Sequence, residues 1–360
     1  MTSDTSPPAD RNESGPSEAF MHRCLHLAAL GSGYTAPNPM VGAVLVYNGR
    51  IIGEGYHAHY GEAHAEVNCV QSVKEADRSL ISSATLFVSL EPCCHQGKTP
   101  PCTDLILREK IPRVVIACRD PFPIVNGKGM EILQANGVHI EYPVLEKQAK
   151  KLNRRFFTFH EKKRPYIILK WAESANHMIA GETGKRIQIS NPYSNRLVHK
   201  WRSEEAGILV GTNTALLDNP ELTTRLWPGK NPLRLVIDKK LRLPDSLKLF
   251  DGTEETLILN ETTSLSAGKR KFVKLEPGSS DISSILSTLH SIPILSILVE
   301  GGAKLLQSFI DGGIWDELII ITNTELQIPA GISSPVFHHA GLLCTETYGS
   351  DTVRYYANAL

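Results

Sequence analysis

The chain has 360 residues, of which 41% are hydrophobic and 21% are charged, so wholesale disorder is excluded and two domains with separate cores are expected. Its 38 Lys and Arg residues balance its 38 Asp and Glu residues, which argues against a chain-wide attraction to nucleic acid or anionic membranes and favours a small-molecule partner. Seven scattered cysteines, without a signal peptide or a long apolar segment, predict a soluble cytoplasmic protein.

The first sixteen residues have little to bury and are predicted to be a disordered leader. Over 17–145, helices and strands alternate, which predicts a sheet covered by helices. Asn48 and Gly49 separate two β-branched runs and predict a hairpin, because both residue types tolerate positive φ. Strands are expected at 41–46, 51–52, 85–90 and 114–117, and helices from about 17, 63 and 103 and up to 136.

A Lys/Arg-rich stretch at 146–164 precedes a new apolar strand, so the second domain is predicted to cover 146–360. Strands and helices alternate again, which predicts a second α/β domain. Strands are expected at 166–171, 207–211, 233–238, 256–260, 294–299 and 317–322, and helices at 191–202, 281–291 and 303–310.

The first domain contains a candidate metal site formed by His64, Cys93 and Cys102. One histidine and two cysteines are a three-ligand zinc set that leaves the fourth tetrahedral position for a water, as in catalytic sites. Glu66 follows the histidine by two residues and can act as general acid and base on that water. The pattern H-x-E followed by P-C is typical of zinc deaminases.

The spacing of the two cysteines points to one subgroup of deaminases. The usual pattern is P-C-x-x-C, whereas residues 94–101 separate Cys93 from Cys102 here. This spacing and the run G-K-T-P-P-C at 97–102 resemble the pyrimidine deaminases of riboflavin biosynthesis. The resemblance covers the whole first half, including P-N-P-M-V-G at 37–42 and G-E-G-Y-H at 53–57.

This resemblance implies a cytidine-deaminase-like zinc domain with three α/β/α layers. It also implies that Asn38 contacts the pyrimidine, and that His57 and Lys98 lie toward the substrate and its phosphate. Cys94 and His95 stay alternative zinc ligands by chemistry, although the deaminase pattern uses the residue directly after the proline.

The second domain carries V-E-G-G at 299–302, after a predicted strand. A Gly pair before a helix offers N–H groups to a phosphate, but alone it is more often a packing or turn feature. Together with L-V-G-T-N-T at 209–214, D-N-P-E-L-T-T-R at 218–225 and W-R at 201–202, it resembles the reductase domain of two-domain riboflavin-pathway enzymes. The resemblance implies a dihydrofolate-reductase-like α/β domain that uses NADPH.

Taken over both domains, the resemblance implies a bifunctional enzyme. The first domain would deaminate a diaminopyrimidine ribosyl phosphate with zinc, and the second would reduce the ribosyl chain to a ribityl chain. Cofactor contacts are implied at Glu173, Thr214, Asp218, Gly301 and Gly302. Substrate contacts are implied at Lys170, Arg202, Leu222, Arg225 and Glu300, and arginine suits bidentate recognition of a phosphate.

One segment departs from the family pattern. Relatives commonly read S-x-D-G-[KR]-x-A, whereas residues 174–180 read S-A-N-H-M-I-A, so a turn that needs positive φ is expected to be remodelled. One alternative is therefore a deaminase whose second domain is not catalytic. Another is an RNA-binding or base-editing zinc module, against which the zero net charge and the reductase motifs count. A homodimer or larger assembly is also expected.

Overall fold

The computed structural model describes residues 16–182, 187–276, 281–338 and 340–358. The chain divides into two compact units, one ending at Asn153 and the other beginning at Arg154. The boundary predicted at 145/146 precedes a short helix that belongs to the first unit, so the extents of the two domains stay a prediction. The predicted leader lies outside the described residues except for Pro16, which begins the first helix. Among the described residues, no helix is long and apolar enough to cross a membrane.

The first unit is a sheet with helices on both faces. Its elements are α1 (Pro16–Ala29), β1 (Gly42–Tyr47), β2 (Arg50–Tyr56), α2 (Ala65–Gln71), a 3-10 helix (Glu75–Ser83), β3 (Thr85–Val88), α3 (Cys102–Arg108), β4 (Arg113–Ile116), α4 (Lys128–Ala135), β5 (His139–Glu141) and α5 (Glu146–Leu152). The strands lie in the order β2-β1-β3-β4-β5, with antiparallel pairs up to β3 and parallel pairs beyond it. The predicted hairpin turns at Asn48 and Gly49, whose φ angles are 48° and 74°.

Alternation along the strands of the first unit separates two packed faces. Leu45, Leu86 and Val114 point to one face, where they pack with residues of α2, α3 and α4. On the other face, Phe87 of β3 contacts Phe20 of α1, with ring centroids 5.2 Å apart. The result is the three-layer arrangement that the family resemblance implies.

The second unit is built on a larger sheet. Its elements are α6 (Arg154–Lys162), β6 (Tyr166–Ser174), β7 (Met178–Gly181), α7 (Pro192–Glu204), β8 (Gly207–Gly211), α8 (Thr212–Asp218), β9 (Leu233–Ile237), a 3-10 helix (Lys248–Phe250), β10 (Thr256–Asn260), β11 (Ser266–Ala267), β12 (Arg270–Lys274), α9 (Ile282–Ser291), β13 (Ser296–Val299), α10 (Ala303–Asp311), β14 (Glu317–Asn323), β15 (Gly331–Ser333), β16 (Ala340–Tyr348) and β17 (Asp351–Asn358).

The main sheet of the second unit has the order β11-β12-β10-β9-β8-β13-β6-β14-β17-β16, and the strands from β12 to β14 are parallel. One face packs against α9 and α10, and the other packs against α7. Because neighbouring parallel strands end at the same sheet edge, this edge collects the loops after β6, β8, β9 and β13.

The predicted strands and helices are all present, with ends that differ by a few residues. The sequence did not predict the helices α5, α6 and α8, the two 3-10 helices, the short strands β5, β7, β11, β12 and β15, or the hairpin β16–β17. The sequence predicts a charged boundary at 146–164, whereas in the structure Phe156, Phe157 and Phe159 form a buried face of α6. Its charged residues therefore occupy the remaining faces of an amphipathic helix.

Candidate active sites of the two units

The three predicted metal ligands lie together in the first unit. His64 immediately precedes α2, Cys93 lies in the loop after β3, and Cys102 is the first residue of α3. His64 Nδ1 is 3.5 Å from Cys93 Sγ and 3.4 Å from Cys102 Sγ, and the three ligand atoms lie within 4.8 Å of one another. One imidazole nitrogen and two thiols converging in this way fit a zinc ion with one position left for a reactant.

The side chains of Cys94 and His95, the two alternative zinc ligands, make other contacts. Cys94 Sγ is directed to the carbonyl oxygen of Ile124 at 3.9 Å, and the His95 ring packs edge-on against Phe122. Neither belongs to the His/Cys cluster found among the described residues. The structure therefore brings together the ligand set that the deaminase pattern selects.

Thr99 is a residue of this site that sequence reasoning missed. Its Oγ1 lies 3.3 Å from His64 Nε2, on the side of the ring away from the two sulfurs. A hydroxyl that accepts the Nε2 proton leaves Nδ1 unprotonated for a metal. Thr99 belongs to the quoted G-K-T-P-P-C run, so the signal was present but its role depends on the fold.

Glu66 lies in the first turn of α2, two residues after His64, and its side chain is buried. Burial raises the pKa of Glu66, and the negative charge of Cys93 raises it further. A buried carboxyl beside the ligand cluster is placed to carry a proton to and from a reactant bound there. Its place beside the ligand cluster agrees with the predicted acid–base role.

Asn38 and His57 lie next to the metal ligands. Asn38 Nδ2 donates to His57 Nε2 at 3.2 Å, and His57 Nδ1 donates to the carbonyl oxygen of Ala63 at 3.1 Å. The rings of His57 and His64 meet edge-on with centroids 5.4 Å apart. Burial lowers the pKa of His57, which favours the neutral ring that this hydrogen-bond pattern requires.

Lys98 is exposed in the loop that also carries Thr99. Its Nζ lies 4.0 Å from the ring centroid of Tyr60, so a cation–π contact holds the ammonium near the loop after β2. This position is compatible with the phosphate contact implied by the resemblance, which stays a prediction.

Glu91 is a second residue that sequence reasoning missed. It is buried two residues before Cys93, and each of its carboxylate oxygens accepts from two backbone N–H groups at 2.9–3.4 Å. The donors are Asp120, Gly127, Gly129 and Met130. These bonds tie the segment before Cys93 to the start of α4, where the positive end of the helix favours a carboxylate.

In the second unit, Lys170, Arg202 and Glu300 form a charged cluster. Arg202 donates from Nε and Nη2 to the two oxygens of Glu300 at 3.0 and 2.7 Å, and Lys170 Nζ is 4.0 Å from Glu300 Oε2. Burial would raise the pKa of Glu300, but the charges of Arg202 and Lys170 outweigh it and lower the pKa to about 2. Two cations against one carboxylate leave a net positive charge, which suits an anionic ligand.

The loop after α8 packs against α7 in the same region. Arg202 Nη1 donates to the Thr223 carbonyl oxygen at 3.2 Å, and the Arg225 N–H donates to His199 Nδ1 at 2.9 Å. Leu222 has a φ of 53° and its side chain packs in the core. A substrate contact at this position would therefore come from its backbone.

The Gly301–Gly302 turn lies between β13 and α10. The Gly302 N–H donates to Thr214 Oγ1 at 2.8 Å, which joins this turn to the start of α8. A Cβ on Gly301 would lie 2.6 Å from Leu305 Cδ2, so a larger residue there would require the Leu305 side chain to move. Asp218, the last predicted cofactor contact on α8, is exposed at the end of that helix.

Glu173 is not brought to the charged cluster. Along β6 it alternates to the sheet face opposite to Lys170. Its buried carboxylate accepts from Trp171 Nε1 at 2.9 Å, His177 Nδ1 at 2.8 Å and Thr322 Oγ1 at 3.1 Å. The structure thus surrounds Glu173 with protein donors, and the cofactor contact implied for it stays a prediction.

The segment at 174–180, whose sequence differs from the family pattern, still contains a position with positive φ. His177 occupies it with a φ of 60°, and histidine is among the residues that adopt this region most readily. Asn176 accepts from the Ile328 N–H and donates to the Ile328 carbonyl oxygen, at 3.1 and 2.8 Å. Only an amide can donate to the Ile328 carbonyl oxygen, so Asn176 makes a hydrogen bond here that the acid of the family pattern could not make when ionised.

Comparison with known proteins supports both domains. Residues 15–118 match the model of the cytidine and deoxycytidylate deaminase zinc-binding region, and residues 165–324 match the RibD C-terminal domain. The chain is 40% identical to riboflavin biosynthesis protein RibD of Aquifex aeolicus, over 84% of this chain and 85% of that protein. It is also 40% identical to RibD of Bacillus amyloliquefaciens, over 84% and 82% of the two chains.

A solved structure from Thermotoga maritima agrees over nearly the whole molecule. It is described as a diaminohydroxyphosphoribosylaminopyrimidine deaminase/5-amino-6-(5-phosphoribosylamino)uracil reductase. The TM-score is 0.86 at 35% identity, covering 95% of this chain and 99% of the other. Fold, ligand cluster and similarity agree that the chain belongs to the RibD family of bifunctional riboflavin biosynthesis enzymes, with a zinc-binding deaminase domain followed by a reductase domain.

Proposed function

We propose that the first unit hydrolytically deaminates 2,5-diamino-6-ribosylamino-4(3H)-pyrimidinone 5′-phosphate and that the second reduces the ribosyl chain of the product with NADPH. The observation that carries the first step is the buried Glu66 beside the converging His64, Cys93 and Cys102. The name of the Thermotoga relative supports the substrate class.

Zinc bound by the three ligands supplies a Lewis acid that makes a water nucleophilic at neutral pH. Glu66 takes a proton from the attacking water and passes it to the departing amine, so that a C=O bond replaces the C–N bond and ammonia leaves. Asn38 and His57 hold the pyrimidine beside the ligands, and Lys98 contacts the phosphate.

In the second unit, NADPH would supply a hydride to the anomeric carbon of the ribosyl group. The bond from that carbon to the ring oxygen would break, and a proton from solvent would go to the oxygen, which gives the ribityl chain. The Gly301–Gly302 turn leads into α10, whose N-terminal end favours the cofactor phosphates, while the Gly302 N–H itself is engaged by Thr214. Lys170 and Arg202 hold the anionic substrate, while Glu300 fixes both cations by ion pairs. Catalysis there depends mainly on orienting the two reactants.

The test of the first activity compares Glu66→Gln with Glu75→Gln, the same exchange at an exposed position of the 3-10 helix. Glu66→Gln should retain zinc and lose ammonia release by about 10²- to 10⁴-fold, because the proton carrier is removed. Glu75→Gln should resemble the wild type in both respects. Unchanged ammonia release by Glu66→Gln would rule out the proposed proton transfer.

A further inference from the structure

The loop after α8 packs against the 3-10 helix that begins at Lys248. Leu222, in this loop, belongs to the same core cluster as Leu247 and Leu249. The Lys248 N–H also donates to Asn219 Oδ1 at 2.8 Å. Because shared core residues and a hydrogen bond to the backbone join them, the loop and the 3-10 helix have a defined position relative to each other.

Arg234 supports the 3-10 helix from the interior of the second unit. Its side chain is 1% exposed, and Nη1 donates to the carbonyl oxygens of Lys248 and Leu249 at 3.4 Å and to Asp251 Oδ1 at 3.0 Å. These contacts use backbone atoms of Lys248, whereas its side chain is 55% exposed. The Lys248 ammonium can therefore be exchanged without removing a contact that holds the helix.

Glu221, in the loop after α8, lies between two cations. Lys248 Nζ donates to its Oε1 at 3.0 Å, and Arg225 Nη1 donates to its Oε2 at 2.6 Å. The hydrogen bond from Lys248, and then the charge of Arg225, lower the pKa of Glu221, so this carboxylate is ionised at neutral pH. Two cations and one anion leave a net positive charge, because Lys248 offsets the charge of Glu221.

Arg225 is oriented by protein contacts on one side of its guanidinium. Nη1 donates to Thr223 Oγ1 at 2.8 Å as well as to Glu221, and the backbone N–H donates to His199 Nδ1 at 2.9 Å. Among the described residues, no hydrogen bond uses Nε or Nη2 of Arg225, and the side chain is half exposed. A guanidinium edge with two parallel N–H donors matches two oxygens of a phosphate.

We propose that Glu221 and Lys248 are positioning residues of the reductase site. Glu221 orients Arg225 toward the substrate phosphate, and Lys248 neutralises Glu221, so that Arg225 keeps its attraction for that phosphate. The proposal rests on the second activity proposed above and on the substrate contact implied for Arg225. An arginine that is ordered before binding loses less conformational entropy when the ligand arrives, and an uncompensated Glu221 would compete with the ligand for it.

The first experiment measures KM and kcat of NADPH oxidation with the deaminated substrate for the wild-type chain and for Lys248→Met. Loss of the ammonium should raise KM by about 3- to 5-fold at low ionic strength. It should leave kcat unchanged, because the bound substrate and the transition state lose the same attraction. The rise in KM should shrink in high salt, since salt screens exposed charges. Lys248→Arg keeps the charge and should keep the wild-type KM.

A double variant distinguishes this charge balance from a structural role. Glu221→Gln in the Lys248→Met background removes the uncompensated charge and keeps a side-chain oxygen for Arg225, so KM should return to within about twofold of the wild-type value. Glu221→Ala removes the oxygen as well and should raise KM by about 3- to 10-fold, because Arg225 is no longer ordered before binding. A pair that only stabilised the loop would give a larger loss in the double variant than in Lys248→Met, and that result would overturn the proposal.

Two controls test whether the effect is local and depends on the substrate phosphate. Lys271→Met makes the same exchange in an exposed ion pair, with Glu255 at 2.7 Å, and should leave KM unchanged. The dephosphorylated substrate, measured as a competitive inhibitor, should keep its inhibition constant in Lys248→Met. An unchanged KM in Lys248→Met, or an equal loss for the dephosphorylated substrate, would overturn the proposal while leaving the reductase intact. A wild-type chain that does not oxidise NADPH would overturn the reductase proposal together with this one.

Discussion

Among the individual residues, Thr99 has a role that can be separated from that of the ligands themselves. Its Oγ1 lies 3.3 Å from Nε2 of the His64 ring. Thr99→Val should weaken zinc binding by about 10- to 100-fold, because the imidazole loses the partner that fixes its tautomer and orientation. Competition with a chromophoric chelator measures the affinity directly.

Two variants control this prediction. Thr99→Ser keeps a hydroxyl and should recover most of the affinity. Thr85→Val makes the same exchange at a half-buried position of β3 and should leave zinc binding unchanged. Wild-type zinc affinity in Thr99→Val would show that the hydroxyl does not orient His64.

At the scale of elements, α2 reaches its place because β2 has a glycine beneath it. A Cβ on Gly55 would lie 2.3 Å from the backbone N of Cys69 and 2.6 Å from the backbone carbon of Asn68. Gly55→Ala should therefore push α2 away, destabilise the first unit by about 1–3 kcal/mol or more and reduce zinc retention. Denaturant unfolding and zinc content measure the two effects.

The matched exchange is Gly341→Ala on β16, where a Cβ would meet nothing within 4 Å. It should leave stability and zinc content nearly unchanged. If Gly55→Ala behaves like Gly341→Ala, the close approach of α2 to β2 is not what positions the site.

The packing of the loop after α8 against α7 depends on a neutral histidine. Burial, followed by the charges of Arg202 and Arg225, lowers the pKa of His199 to about 4, against about 6.5 for an ordinary histidine. As the pH falls, the histidine of the unfolded chain takes up a proton before the one in the folded chain does. The contribution of neutral His199 to the free energy of unfolding is therefore complete above about pH 6.5 and is lost as the pH falls toward 4. Protonation also removes the acceptor for the Arg225 N–H.

The measurement is the Tm of the full chain between pH 7.5 and 4.5. His199→Gln should lower Tm at neutral pH but lose less Tm on acidification than the wild type, since glutamine does not titrate. His22→Gln, at an exposed position of α1, should follow the wild-type curve. Parallel curves for His199→Gln and the wild type would contradict the assignment.

For the whole molecule, each unit has its own core and its own cluster of site residues. The two activities should therefore be lost separately. Cys102→Ser should lose zinc and ammonia release but still oxidise NADPH with the deaminated substrate. Lys170→Gln should keep zinc and ammonia release but lose NADPH oxidation. Separate assays of ammonia and NADPH measure this, and loss of both activities in either variant would contradict it.

The predicted homo-oligomer is also a property of the whole molecule and stays a prediction. Sedimentation velocity of the full chain at several concentrations tests it. A single species of 39.7 kDa throughout would contradict it.

The sequence by itself determined the chemistry of the zinc site and the order of most helices and strands. Both depend on local information: residue types suited to zinc, their spacing around His64, Cys93 and Cys102, and apolar periodicity. For the second unit, the resemblance of the motifs around Arg202 and Glu300 implied a common substrate site, which stays a prediction.

Tertiary structure decided which side chains face a site and what holds them there. Thr99 reaches His64 across 35 positions, and Glu91 is bound by backbone groups up to 39 positions away. Glu173 and Leu222 were implied as contacts, yet one is surrounded by protein donors on the opposite sheet face and the other packs in the core. The physical reason is that burial and hydrogen-bond partners arise when distant segments pack, and local spacing does not contain that information.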